Sequence, residues 1–222
     1  MRKNWLIIVN IIGTIDDLIE NYTKQVDEII KMGDLIILST PNKEPLIHYS
    51  NISLGGTPSR KHPEYWNGNI KWINSGAMTG TPAILSESEF ISDLGVRHSA
   101  TKCANKNDTV LSIIEPSINK VSIILDDAIY FNQSVICLSA KDSKNAGLIF
   151  FATRALIEEI KGFATGAAQQ SLNKEMFEIS EIFIPNSDKI DTLNNLLKQL
   201  VQKENSIRIL KNIKQQLLHK YF

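Results

Sequence analysis

Two stretches of this chain repeat apolar residues at spacings of three and four, and the long stretch between them does not. Residues 15–32 place Ile15, Leu18, Tyr22, Val26 and Ile29 on one stripe, which predicts an amphipathic helix. Thr14 reads as its N-cap, with Asp16 and Asp17 suited to the first turn. Residues 188–221 carry a longer stripe of Ile190, Leu193, Leu197, Leu200, Ile207, Leu210, Ile213 and Leu217, interrupted by Glu204 and broken by no Gly or Pro. Ser187 or Asp188 is placed to cap it. At 1.5 Å per residue the second helix spans roughly 50 Å and the first about 27 Å.

Between them the pattern changes. Short β-rich runs (NIKWI, TVLSII, KVSIIL, SVICLS and EIFIP) alternate with loops. One amphipathic helix is predicted from about Lys144 to Lys161, carrying Leu148, Phe151, Ala155, Leu156 and Ile160. The expected organisation is an N-terminal helical region over 1–47, a mixed α/β (α+β) globule over 48–186 and a C-terminal long helix over 187–222. The two flanking helices are expected to run antiparallel as a coiled-coil-like arm. Their charges favour hetero-pairing: Asp16, Asp17, Glu20, Asp27, Glu28 and Asp34 outweigh Lys24 and Lys31 in one, while seven basic residues outweigh Asp188, Asp191 and Glu204 in the other. The unequal lengths leave Ile207, Leu210, Ile213 and Leu217 as a bare stripe for a dimer or partner interface. The alternative is that the apolar run Trp5–Ile12 folds over that stripe within the same chain.

Composition narrows the function classes. The chain has 222 residues, 43% apolar, with 24 basic and 24 acidic side chains. A uniformly basic nucleic-acid binder is excluded, but a locally basic face is not. Cys103 and Cys137 are far apart and in no CxxC arrangement, which reads as buried free thiols in a reducing cytosol. His48, His62, His98 and His219 have no ligands at metal spacing, so no metal site is expected. The run WLIIVNIIG is too short to span a bilayer and lacks a small-residue cleavage site, so a soluble cytoplasmic protein is expected.

No catalytic constellation is legible. GGTPSRK and GAMTG both lack the pattern of a P-loop, no GxGxxG follows a strand, and no GxSxG elbow or NPPY-type motif occurs. The triplets Asp142-Ser143-Lys144 and Glu159-Ile160-Lys161 are fragments of a nuclease pattern, and the second lies on the solvated face of the predicted middle helix.

The most unusual local composition is SLGGTPSRKHPEYWNG, residues 53–68, a stiff, polar, basic loop that neither a helix nor a central strand accommodates. Continued to GGTPSRKHPEYWNGNIKWINSGAM, it resembles the start of a target recognition domain in the specificity subunits of type I restriction–modification systems. The likeness continues in order through GVRHSATK, NDTVLSI, NKVSIILDDAIYFNQSVICL with its Asn-Gln ending a strand, and GFATGAAQQSLNKEMFEISEIFIP. IIGTIDDLIENYTKQVDEI is similar to the family's central helix and LKNIKQQLLHKYF to its terminal one. Two places depart from the family pattern: IPNSDKID stands where a Pro-Pro-x-x-Glu-Gln turn is usual, and Asn119-Lys120 where Gly-Lys is common.

The resemblance implies half of a two-domain subunit: helix, one recognition domain, helix. It implies a non-catalytic subunit that reads one half of a bipartite double-stranded DNA site. Its partners would be DNA methyltransferase (modification) subunits, a restriction/translocase subunit, and a second copy of itself or a companion specificity chain. No cofactor is implied in this chain; S-adenosylmethionine, ATP and Mg would sit in the partner subunits. DNA contacts are expected from Thr57, Ser59, Arg60 and Lys61, from Lys71 and Ser75, from Arg97, His98 and Ser99, and from Gln169, Gln170, Asn173 and Lys174. Trp66 and Trp72 read as core. Helices of roughly 50 Å would separate two half-sites by about 10 to 15 base pairs. Two rival readings stand beside this one. The first is a coiled-coil assembly adaptor, a remnant half subunit without DNA binding; the second is a hydrolase with an unrecognised site.

Overall fold

A computed structural model describes residues 2–163 and 172–221. In chain order the elements are α1 (Arg2–Leu38), β1 (Lys43–Pro45), α2 (Leu46–Tyr49), β2 (Ser50–Leu54), β3 (Ile70–Ile73), β4 (Ala83–Ile84), β5 (Glu89–Ile91), α3 (Asp93–Arg97), β6 (Lys102–Ala104), β7 (Thr109–Ser112), β8 (Val121–Ile124), β9 (Ile129–Phe131), β10 (Val135–Ala140), α4 (Ala146–Phe163), α5 (Lys174–Glu178), β11 (Glu181–Phe183) and α6 (Ser187–Tyr221). The α/β lobe between two long helices is the expected fold.

The strand sequences alternate between two buried faces. The five-stranded sheet has the order β2-β10-β7-β8-β4, and only its β4–β8 pair is parallel. Leu111, Val121, Ile123, Ile136 and Leu138 point to one side, into a cluster with α4 and the long helices. Their chain neighbours Val110, Ile124, Val135 and Cys137 point to the other side, onto Ile73, Ala104, Ile129 and Phe131 of the four-stranded sheet β5-β3-β9-β6. Period-2 alternation with both faces covered reads as a continuous apolar run, which is why VSIIL and VICL contain so little polarity. The lobe is thus three layers: four strands, five strands, helices. Of the two thiols, Cys137 is buried in the middle layer and Cys103 is exposed, against the expectation that both are buried.

The helix expectations need three corrections. α1 begins at Arg2 rather than near residue 15, so Thr14 is an interior residue whose Oγ1 donates to the Asn10 carbonyl, 3.0 Å away, and caps nothing. Ile19 rather than Leu18 lies towards the partner helix; Leu18 is exposed. Asn186, not Ser187 or Asp188, caps α6, its Oδ1 accepting from Lys189 N at 3.1 Å. With 37 and 35 residues the two helices are each about 52–55 Å long, so neither outruns the other. Asp16 meets Lys214, Tyr22 meets Lys203, and Lys24 to Ile29 share a groove with Gln199 and Lys203. Those pairings descend along one helix as they ascend along the other, so the arm is antiparallel.

Charge contributes less to that pairing than the composition suggests. Among the described residues one ion pair crosses between α1 and α6, Asp16–Lys214. Glu20–Lys24 and Glu28–Lys31 lie along α1, exposed, where such pairs are worth a few tenths of a kcal/mol. Apolar contact does more. Val26, Ile29 and Ile37 of α1 and Leu193, Leu196, Leu197 and Leu200 of α6 are buried in or against the cluster that holds α4. The lobe and the proximal arm therefore share one core. β1 pairs with β11 at that junction. Towards the distal end burial fades: between residues 7–14 and 208–221 no residue is fully buried.

Glu204 stands where the α6 stripe is interrupted, and it is 3% exposed. Burial pushes its carboxyl up to about 7, with Asp27 adding to the rise and Lys211 opposing it. A carboxyl raised above its unfolded value of about 4.5 is harmless to the fold below pH 4.5; its penalty grows between pH 4.5 and about 7 and is complete above that. The gap corresponds to about 3 kcal/mol. Glu204→Leu should raise thermal stability at pH 8 by about that amount and leave it nearly unchanged at pH 4.5. Melting curves at the two pH values check this; equal shifts at both would refute it.

Candidate nucleic-acid interface

The GGTPSRK loop leaves the end of β2 and runs against two other stretches of backbone. Gly55 N donates to Val135 O at 3.4 Å and Gly56 N to Phe131 O at 3.0 Å. A Cβ on Gly55 would lie 2.2 Å from Phe131 O, and one on Gly56 would lie 2.6 Å from the Ala100 carbonyl carbon. Both neighbours are backbone and cannot turn away. The paired glycines let the first loop touch the start of β10 and the segment after α3 at once.

Arg60 then pins the loop. Its guanidinium donates to both carboxylate oxygens of Glu89, at 2.7 and 2.5 Å, and its Cζ lies 3.4 Å from the Trp66 ring centroid. The hydrogen bonds from Arg60 hold the Glu89 carboxyl below the usual carboxylate range. Trp66 meets Trp72 edge-on with centroids 5.1 Å apart, and Trp72 Nε1 donates to Gly56 O at 3.4 Å. Trp72 is core, as expected; Trp66 is half-buried, clasped between Arg60 and Trp72. Arg60, expected on DNA, is exposed and is tied to Glu89 and Trp66, contacts that hold the loop's shape.

The first and second candidate loops are joined. His62 stacks on Tyr65 and Tyr65 on His98, with centroids 4.8 and 5.9 Å apart. Ser92 caps α3 through its Oγ, which accepts from Gly95 N, and donates to the Glu64 carbonyl. This brings Ser59, Lys61 and His62 beside Arg97 and His98. Lys61, Arg97 and His98 are exposed, and among the described residues Lys61 and Arg97 take part in no ion pair. Ser99 turns inward, donating to Gly95 O at 2.7 Å.

The third segment reaches the same rim. Leu172 N donates to Ile113 O and Ile113 N to Ser134 O, both at 3.0 Å. Asn173 caps α5 by accepting from Met176 N, and Lys174 pairs with Glu178 at 2.9 Å. Gln169 and Gln170 lie outside the described residues. The ends of β2 and β7, the start of β10 and the approach to α5 thus converge at one end of the five-stranded sheet.

Lys71 does not join them. Its Nζ donates to Asp126 at 2.8 Å, and Arg208 of α6 donates to the same carboxylate at 2.9 and 3.0 Å. Those hydrogen bonds, Arg208 first and Lys71 second, pull Asp126 down to about 2 against the opposing effect of burial. Lys71 is therefore half of a tie between lobe and arm, a role that no local pattern in NIKWI discloses. Ser75 sits in the turn after β3, where Asn74 Oδ1 accepts from Gly76 N, and Ile73 O accepts from Asn132 N, so this turn lies beside the β9–β10 connection.

Sequence reasoning missed Gln133. It is exposed on the β9–β10 connection, and Thr57 Oγ1 donates to its Oε1. The one signal was the Asn-Gln ending FNQ.

The triplet motifs dissolve into structural roles. Asp142 Oδ1 accepts from Lys144 N at 2.9 Å in the turn before α4, and Glu159 pairs with Lys43 at 2.7 Å. Among the described residues no group of three or more His, Cys, Asp or Glu is placed to hold a metal ion. Nor is any described helix long and apolar enough to cross a membrane. On the arm, Ile207 is buried against α1 instead of bare. Leu210 and Leu217 are half-buried, and Ile213 is exposed.

Comparison with known proteins agrees with this geometry. The model of the family described as "Type I restriction modification DNA specificity domain" matches residues 50–219. The specificity subunit of the type I restriction enzyme EcoR124I/EcoR124II from Escherichia coli is 26% identical over 169 residues, 69% of this chain and 42% of that protein. Among solved structures, the type I S subunit from M. genitalium superposes with a TM-score of 0.61 at 14% identity, over 97% of this chain and 59% of that one. The HsdS subunit from Thermoanaerobacter tengcongensis gives 0.54 at 12% identity, over 99% and 57%. The chain spans about half the length of these relatives. With a family match over most of its length and the same lobe-and-helices architecture, this chain belongs to the type I restriction–modification DNA specificity family.

Proposed function

We propose that this chain is a DNA-reading half subunit: it recognises one half of a bipartite double-stranded site and presents it to methyltransferase and restriction subunits. The observation that carries this is the convergence of the predicted loops on one rim, where Lys61 and Arg97 stand exposed beside the His62–Tyr65–His98 stack. Cations of this kind set register on phosphates, and polar side chains held on rigid loops read base edges. Arg60 and Lys71 support the reading indirectly, since each fixes the loop or the lobe in place. Methylation and strand cleavage, with S-adenosylmethionine, ATP and Mg, belong to the partner subunits.

The arm supplies spacing and docking. Its distal end exposes Ile7, Ile11, Ile213 and Leu218, an apolar surface suited to a second copy, a companion specificity chain or a methyltransferase subunit. Two lobes held apart by about 50 Å of helix would read half-sites about 10 to 15 base pairs apart.

The test is the methylation pattern of DNA from cells expressing the full chain with its methyltransferase subunit. A bipartite palindromic motif is expected, since the symmetry of a homodimer is mirrored in its site. An asymmetric motif would assign the second half to a different chain. Binding of the purified complex to duplex DNA should also weaken steeply with salt. A salt-insensitive complex that modifies no sequence would leave the arm as an assembly adaptor and overturn the proposal.

A further inference from the structure

We infer that Gln133 is a base-reading side chain of this lobe and that Thr57 is the residue that positions it; the inference rests on the DNA-reading function proposed above. Gln133 occupies the connection between β9 and β10, where the rim's other segments meet. The residue before it, Asn132, is buried and bonded on both sides, its N donating to Ile73 O at 3.0 Å and its Oδ1 accepting from Ser134 N at 3.0 Å. The residue after it, Ser134, takes the hydrogen bond from Ile113 N. The backbone that carries Gln133 is therefore held from both directions, while the side chain faces solvent.

An exposed glutamine ordinarily samples many rotamers and loses that freedom when it binds. Here Thr57 Oγ1 donates to Gln133 Oε1. That bond tethers the carboxamide to the first loop, with Oε1 turned to the Thr57 hydroxyl, so the group is oriented before any ligand arrives. One lone pair of Oε1 and both Nε2 protons remain available. This is the donor–acceptor pair that a major-groove purine edge complements, adenine N6 donating and N7 accepting. Thr57 is in turn held by the glycine pair, whose backbone lies against Phe131 and Ala100. Neither Thr57 nor Gln133 contributes to the buried core, so their pairing does little for the stability of the lobe. It does orient an exposed hydrogen-bonding group on the rim of the candidate interface.

The experiment is a binding selection from a pool of double-stranded DNA with a randomised 30-base-pair core, using the full chain in complex with its methyltransferase subunit. Four versions are compared: wild type, Gln133→Ala, Gln133→Glu and Thr57→Val. In wild type one position of the half-site should prefer adenine. Gln133→Ala should lower discrimination at that position about tenfold or more and leave the other positions and the salt slope unchanged. Thr57→Val should weaken the same position partially. Gln133→Glu should shift its preference to cytosine, whose N4 donates. Melting temperatures within a degree or two of wild type would show that both sites fold normally. A Gln133→Ala motif identical to wild type overturns the inference. So does a uniform loss across all sequences with the salt slope reduced by about 0.9, the mark of a phosphate contact. A wild-type complex that selects no motif overturns the proposed function and this inference together.

Discussion

Asp34→Ala is expected to destabilise the fold by about 3–5 kcal/mol, because it leaves the Arg154 guanidinium buried without its partner. Arg154 is a residue of α4 and only 7% exposed. Its Nε and Nη2 donate to the two Asp34 oxygens, each at 2.9 Å, and its Nη1 donates to Ile118 O at 3.3 Å. The pair is bidentate and bridges α1 to α4 within the shared core. Removing the carboxylate costs the charge-assisted bonds and strands a cation among Phe150 and its apolar neighbours. For a chain of this size the loss should lower the melting temperature by roughly 10 °C. Replacing both partners, as Asp34→Leu with Arg154→Met, should recover much of it, since no charge is then buried alone. Thermal unfolding of the two variants checks both statements. A single mutant within two degrees of wild type would show the pair to be dispensable.

Gly147→Ala is expected to be of similar size, for a steric reason. At the start of α4 the Gly147 position packs directly on the backbone of α6. A Cβ there would lie 2.4 Å from Leu193 O and 2.5 Å from Leu193 C. Gly147 N also donates to Asn194 Oδ1 at 2.8 Å, and Asn194 Nδ2 returns a bond to Lys144 O. Backbone cannot move aside as a side-chain tip can, so the helices must separate, which costs about 3 kcal/mol. The separation falls where the arm is rooted in the lobe. Limited proteolysis should therefore cut between the lobe and α6 faster in Gly147→Ala than in wild type. Gly13 offers the control: a Cβ there meets nothing within 4 Å. Gly13→Ala should leave the cleavage rate unchanged and stabilise α1 slightly. Equal cleavage rates in wild type and Gly147→Ala would refute the prediction.

Much of the candidate site was legible because its signals are local. A loop of Gly, Pro, Ser, Arg and Lys cannot enter a sheet, so 53–68 had to lie on the surface wherever the fold placed it. What could not be read locally is the partner of each charge. Arg60 and Lys71 carry the same formal charge as Lys61 and Arg97, yet Glu89 and Asp126 pair with the first two. Those partners are 29 and 55 residues away. Gln133 was passed over for the converse reason. A lone glutamine after a strand carries no pattern, and only the return of Thr57 from 76 residues away gives it an orientation. Thr14 was misplaced as a cap because a good capping residue in a helix interior looks the same from the sequence; the apolar run before it extends the helix.

By itself the sequence determined the elements whose signal is local: the two long helices, α4, and the five strands read from short β-rich runs. It also determined the surface loop and the order of motifs that marks the family. Tertiary structure decided everything that depends on what lies opposite. It made the arm helices equal in length and paired them chiefly through apolar contact. It merged the arm's base with the lobe's core, and among the described residues it sorted the basic side chains into ion-paired ones such as Arg60 and Lys71 and others such as Lys61 and Arg97. The physical reason is range. A helix or strand is encoded by residues three or four apart or two apart, whereas an ion pair or a backbone close approach is encoded by residues that meet only once the layers have packed.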